Sequence, residues 1–166
     1  MLKRIFFFVF QLAIFSLFIE IGYGQSLQWK SFTSVGIIRD IDIGNGSVWS
    51  GSNGGVLQLQ MDNNKITKFT NTEGLTSNDV VAVEIDQHGS VWFALFNGVL
   101  NRYWPETGDW EVIEDYKEQT IQDMVAFGDS IYVALGIGVS LYLIDKKEVK
   151  ETYVNLGLSS GENLEK

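Results

Sequence analysis

Runs of β-branched and aromatic residues alternate with glycine and asparagine turns along most of this chain, and the pattern returns about every 40 residues. The central copy is the clearest. Val80 to Ile85 forms one run, Gln87-His88-Gly89-Ser90 a turn, Val91 to Leu95 a second run, Asn97-Gly98 a turn, and Val99 to Tyr103 a third. Beyond Pro105-Glu106-Thr107-Gly108-Asp109, Trp110 to Glu114 supplies a fourth. Such runs, bounded by turn formers, predict four antiparallel strands in a meander. Copy one predicts strands at Ile38 to Ile43, Val48 to Ser50, Val56 to Gln60 and Ile66 to Phe69; copy three, at Ile121 to Phe127, Ile131 to Leu135, Val139 to Ile144 and Lys150 to Tyr153. Asn45-Gly46 and Gly128-Asp129 fit tight hairpins, which require positive φ.

Three segments align: Val48-Trp49-Ser50-Gly51-Ser52-Asn53-Gly54-Gly55-Val56, Val91-Trp92-Phe93-Ala94-Leu95-Phe96-Asn97-Gly98-Val99 and Ile131-Tyr132-Val133-Ala134-Leu135-Gly136-Ile137-Gly138-Val139. Four-stranded units at this period are the signature of a β-propeller blade, so the expected fold is all-β, an incomplete propeller ring of about three blades at 37–70, 80–114 and 121–154. Trp29-Lys30-Ser31-Phe32-Thr33 matches the outermost-strand segment Ile66-Thr67-Lys68-Phe69-Thr70 and is expected to act as a closing outer strand. Gly157-Leu158-Ser159-Ser160 repeats the connector Gly74-Leu75-Thr76-Ser77, so 155–166 reads as the start of a further blade. Three blades fall short of the four to eight that close a ring, which leaves a fragment, a truncated frame or an open array needing a partner as the readings.

The N-terminus changes the picture of where the chain works. Lys3 and Arg4 precede an apolar run from Ile5 to Ile19, then Gly22-Tyr23-Gly24, which reads as a signal peptide over 1–24 with cleavage before Gln25. An uncleaved anchor is the alternative; either way the remainder is expected in the periplasm or at the cell surface. Removing two basic residues and one acidic takes the net charge from −9 to −10, a balance that disfavours nucleic acid. The absence of cysteine excludes disulfides and thiolate chemistry.

Candidate chemistry is sparse. His88 is the single histidine and sits in a hairpin turn, where a polar residue is expected on local grounds. Gly51-Ser52-Asn53-Gly54-Gly55 lacks the following helix and the Lys-Ser/Thr pair of a phosphate loop. Trp49, Trp92 and Tyr132 share one blade position and read as core, while Trp29, Trp104 and Trp110 fall near outer strands. Asp40, Asp42, Asp79, Asp86 and Asp123 lack the spacing of a calcium loop, so no metal, cofactor or catalytic residue is expected.

With Gly74-Leu75-Thr76-Ser77-Asn78-Asp79-Val80, Asp86-Gln87-His88-Gly89, Val91-Trp92 and the turn Ser52-Asn53-Gly54-Gly55, the chain resembles the two-component regulator propeller repeat over residues 29 to 166. Copy three departs from it, with Glu118-Gln119 in the connector and Tyr132 for tryptophan. The resemblance implies a non-enzymatic binding or scaffolding module of the envelope: part of a periplasmic sensor that detects glycans, or of a surface component of type IX secretion. It implies a glycan or envelope protein partner, together with missing blades or a downstream domain. A lyase-like propeller enzyme is the alternative. Loops on the connector face of a propeller are the expected binding surface, which selects Asn53, Leu75, Ser77, Asn78, Asp79, Phe96, Asn97 and Ile137 as ligand candidates; the competing reading is that the connector merely caps the inner strand.

Overall fold

A computed structural model describes residues 34–154. The stretches expected as signal peptide (1–24), closing outer strand (29–33) and start of a further blade (155–166) lie outside the described residues. Those residues form three four-stranded antiparallel sheets, each a meander. The first holds β1 (Ile38–Gly44), β2 (Ser47–Ser52), β3 (Gly55–Gln60) and β4 (Ile66–Phe69). The second holds β5 (Val80–Ile85), β6 (Val91–Leu95), β7 (Leu100–Trp104) and β8 (Asp109–Ile113). The third holds β9 (Ile121–Phe127), β10 (Ser130–Leu135), β11 (Gly138–Leu143) and β12 (Glu148–Tyr153). The sheets meet through their first strands, β1 against β5 and β5 against β9, as blades do around a central axis.

The core lies between the blades. Trp49 of blade 1 packs on Phe93 and Tyr103 of blade 2, with ring centroids 6.1 and 5.8 Å apart, and Trp92 of blade 2 meets Tyr142 of blade 3 at 5.9 Å. Both tryptophans are 1% exposed, the burial that makes such rings dominate core energetics. Tyr132, at the same blade position, corrects the expectation of a third core ring: it is 37% exposed, because no described blade covers that side of blade 3.

The turn between the second and third strands is tied down in the same way each time. The backbone N–H of Asn53, Phe96 and Gly136 donates to the carbonyl of Ile37, Asp79 and Thr120, the residue just ahead of the inner strand. At Gly55 and Gly138, φ is 118° and 148°, and a Cβ would stand 2.4 and 2.1 Å from the carbonyl oxygens of Phe69 and Tyr153 at the end of the outer strand. Glycine recurs there because both the backbone conformation and the close approach exclude a side chain.

Candidate functional site

The connector face assembles the expected ligand candidates, but most are occupied in holding the fold. Asn53 Oδ1 accepts the Ile37 N–H at 2.9 Å. Leu75 is buried in the core between blades 1 and 2. Ser77 Oγ accepts the Asp79 N–H, and Asn78 Oδ1 accepts the Asn71 N–H at 2.7 Å while its amide donates back to Asn71 Oδ1. Asp79 receives the Arg39 guanidinium at 2.5 Å, linking the start of blade 2 to blade 1. Asn97 Oδ1 accepts the Val99 N–H within its own turn. Phe96 and Ile137 differ from the rest: they are 63% and 54% exposed and project from equivalent turns of blades 2 and 3. Of the eight, these two offer free apolar surface to a partner.

Blade 2 carries a buried polar cluster that the sequence spacing did not disclose. Asp86 accepts from the N–H groups of His88 and Ser90, from Ser90 Oγ at 2.5 Å, from Trp92 Nε1 at 2.9 Å and from Arg102 Nη2 at 2.8 Å. The Arg102 guanidinium lies 4.8 Å from the Trp92 ring and 4.6 Å from Trp104. Burial pushes the Asp86 carboxyl up, but the hydrogen bonds from Ser90 and Trp92 and the charge of Arg102 outweigh it and hold the group below the usual carboxylate range. Every acceptor position is spoken for, which suits a structural role rather than proton transfer.

His88 lies in the exposed turn expected of it, and its Nε2 stands 2.9 Å from Asp129 Oδ1 of blade 3, in the same turn one blade on. Asn45 Nδ2 reaches the Gly89 carbonyl from blade 1 in the corresponding place. These turns thus form a chain of contacts from blade to blade. On the same face a polar groove of about 520 Å³ opens among Asn45, Gln58, Gln60, His88 and Trp104. Its signal in the sequence was weak, since Asn45 and His88 sit in turns of different blades and Gln58 and Gln60 on β3, and only the fold brings them together.

The inner strands never pair directly, and carboxylates bridge them instead. Asp40 Oδ1 accepts the Ile41 N–H and its Oδ2 accepts the Val83 N–H of blade 2; Asp42 does the same for Ile43 and Ile85. Glu84 in turn accepts the Ala126 N–H of blade 3 at 2.9 Å. Burial raises the Glu84 carboxyl, the Ala126 N–H opposes that, and the nearby charges of Asp42, Asp40 and Asp123 add to the rise. Among the described residues, no group of three or more histidines or carboxylates is placed to hold a metal ion.

No family model matches the chain, and no curated protein matches it. Solved structures do. The PorZ surface component of the type IX secretion system of Porphyromonas gingivalis is 16% identical with a TM-score of 0.67, over 75% of this chain and 18% of that one. The extracellular domain of the putative one component system BT4673 of B. thetaiotaomicron is 19% identical with a TM-score of 0.60, over 76% of this chain and 18% of that one. The extracellular domain of the putative hybrid two component system BT3049 is 23% identical with a TM-score of 0.59, over 72% and 16%. The chain therefore spans under a fifth of the length of each of these, and at such identities the likeness is one of fold: residues 34–154 are three successive blades of a β-propeller.

Proposed function

We propose that this chain is a non-enzymatic binding or scaffolding module of the bacterial envelope, a propeller portion of the kind that serves a periplasmic ligand sensor or a type IX secretion surface component. The observation that carries this reading is the disposition of the polar groups. The buried carboxylate Asp86 is saturated by Ser90, Trp92 and Arg102, and the inner-strand acids are spent on backbone N–H groups, whereas Phe96 and Ile137 stand free on turns held by a rigid scaffold. Propellers host many functions, so the assignment rests on these side chains and on the company of envelope propellers rather than on the fold alone.

Two measurements test it. Intact-mass analysis of the protein recovered from the envelope fraction is expected to show a chain starting at Gln25; a chain retaining residues 1–24 supports the anchored alternative. In the source cell, Phe96→Asp combined with Ile137→Asp is expected to abolish the function of the module while His88→Ala leaves it intact. Loss of glycan-induced transcription in the double variant identifies a sensor, and loss of cargo export identifies a secretion component. Abolition of function by His88→Ala, with the fold retained, defeats the non-enzymatic reading.

A further inference from the structure

The joints between blades 1 and 2 and between blades 2 and 3 share one frame. Trp49 lies opposite Gln58 and Trp92 opposite Arg102, so Gln58 corresponds to Arg102 and, two residues on, Gln60 to Trp104. Ile43 and Ile85 face Val48 and Val91 at the ends of their inner strands, which makes Gly44 the counterpart of Asp86. The two indoles hold the same pose: Trp49 meets Tyr103 at 5.8 Å and 61°, and Trp92 meets Tyr142 at 5.9 Å and 67°.

What surrounds the indoles differs. In blade 2 the Arg102 guanidinium lies beside Trp92 and Trp104, at 4.8 and 4.6 Å from their rings, and its charge is met by Asp86 at 2.8 Å. In blade 1 the acid, the guanidinium and the outer ring give way to Gly44, Gln58 and Gln60. Gln58 Nε2 still donates to Ser47 Oγ at 3.1 Å, as Arg102 Nε does to Ser90 Oγ at 2.7 Å. A Cβ at Gly44 would stand 2.8 Å from Ile85 Cδ1, so Ile85 takes part of the space that an acid there would need. Trp49 Nε1, the counterpart of the donor to Asp86, is buried without a partner among the described residues. The groove of about 520 Å³ opens where blade 1 lacks these large groups.

The groove is rich in open acceptors. β3 supplies Gln58 and Gln60, the β1–β2 turn Asn45, and the β7–β8 turn Trp104 and Glu106. Gln58 Nε2 and Asn45 Nδ2 are engaged by Ser47 and Gly89, so Gln58 Oε1 and Asn45 Oδ1 remain open. The Glu106 carboxylate has no partner among the described residues, and no lysine or arginine among them lines the groove. Acceptors without a cation, on a chain of net charge −9, disfavour phosphate or carboxylate and suit a cationic group with several donors. Trp104 narrows the choice, because a planar guanidinium stacks on an indole and offers its donors as a fork, which an ammonium does not. Arg102 already uses this ring in that way from inside the blade, with its own charge met by Asp86.

We propose that the groove receives an arginine side chain carried on an extended segment of a partner protein. Its guanidinium lies against Trp104 and donates to Gln58 Oε1 and the Glu106 carboxylate. The volume exceeds one side chain, and Gln60 Nε2 and Asn45 Oδ1 offer a donor and an acceptor to the peptide units on either side of the arginine. The groove lies on the face opposite Phe96 and Ile137, so failure of this inference leaves the envelope reading standing.

Chemical-shift titration of the protein at about pH 8, where a histidine is neutral, tests it with a capped Gly-Gly-Arg-Gly-Gly peptide. Saturable shifts are expected at the Trp104 indole and at Gln58 and Gln60. The citrulline analogue, which keeps the shape without the charge, is expected to bind about tenfold more weakly, and the lysine analogue more weakly than arginine. Glu106→Gln, a change on an exposed turn, is expected to weaken binding about threefold, the size of an exposed ion pair. Glu118→Gln makes the same change of charge on the opposite face, beside Asn97, and is expected to leave binding unchanged. Absence of saturable shifts in the groove overturns the inference, as does citrulline binding as tightly as arginine, which would mark a site for neutral ligands. Lysine binding as tightly as arginine overturns the assignment to a guanidinium. Equal weakening by Glu118→Gln and Glu106→Gln would reduce the attraction to net charge and overturn it too.

Discussion

Trp92 shows what a single position does here. Its ring fills the space between blades 2 and 3, its Nε1 donates to Asp86, and its face receives Arg102. Trp92→Ala is expected to cost about 3 to 5 kcal/mol in urea melts, the range for removing a large buried ring. Tyr132→Ala, at the same blade position but uncovered among the described residues, is expected to cost about 0.5 kcal/mol, the ordinary size of a surface change. Equal losses at the two positions would mean that the register is wrong. Asp86 carries a pH signature. Because its folded-state pKa lies below the ordinary value, its stabilising contribution is present above about pH 4, the unfolded carboxylate range, and is lost as pH falls through the lower folded value. Asp86→Asn is expected to cost about 3 kcal/mol near neutrality, where it strips Arg102 of its counter-charge. The gap between wild type and variant should close as melts are repeated below about pH 4; a gap constant down to pH 2 would remove the charge from the account.

At the level of elements, β-branched runs and turn residues sufficed to place the twelve strands within one or two residues, because short apolar runs buried between blades are cut off at each end by glycine, asparagine and aspartate turns that a single sequence displays. Val80 to Ile85 and Ile121 to Phe127 coincide with β5 and β9. The candidate site was less legible. Ser77, Asn78 and Asn97 look like free polar groups in a list of residues, and only the folded connector shows Asn78 closing on Asn71. The inner-strand acids were equally opaque: Asp40 and Asp42 are two residues apart on one strand, and their partners, Val83 and Ile85, are 43 positions further on. Nothing local in the sequence marks that relationship. It predicts that Asp42→Ala, which leaves the Ile43 and Ile85 N–H groups unserved, loosens the joint between blades 1 and 2 by about 1 to 3 kcal/mol, the cost of orphaned donors. Limited proteolysis should then cut the stretch from Thr70 to Asp79 faster than in the wild type. An unchanged cleavage rate would mean that the carboxylate is incidental to the joint.

For the molecule as a whole, blade 2 is covered on both sides while blades 1 and 3 each have a bare flank among the described residues, and protection should follow that asymmetry. Amide exchange is expected to be slowest in β6, all five of whose residues are buried, and fastest in β1 and β12. Uniform protection across the three blades would contradict two uncovered flanks. The bridging carboxylates also bear on how such a repeat can change through descent. Since an outward N–H can be served by the residue before it or by the blade before it, an acid can vanish from one copy once its counterpart in the other is in place. Ala82 and Val125, the counterparts of Asp40 and Asp42, mark two positions without an acid: Asp40 covers the Val83 N–H and Asp123 the Met124 N–H that Ala82 leaves unserved, and Glu84 covers the Ala126 N–H beside Val125. Duplicated blades can in this way drift apart in sequence, one substitution at a time, through intermediates that never strand a donor.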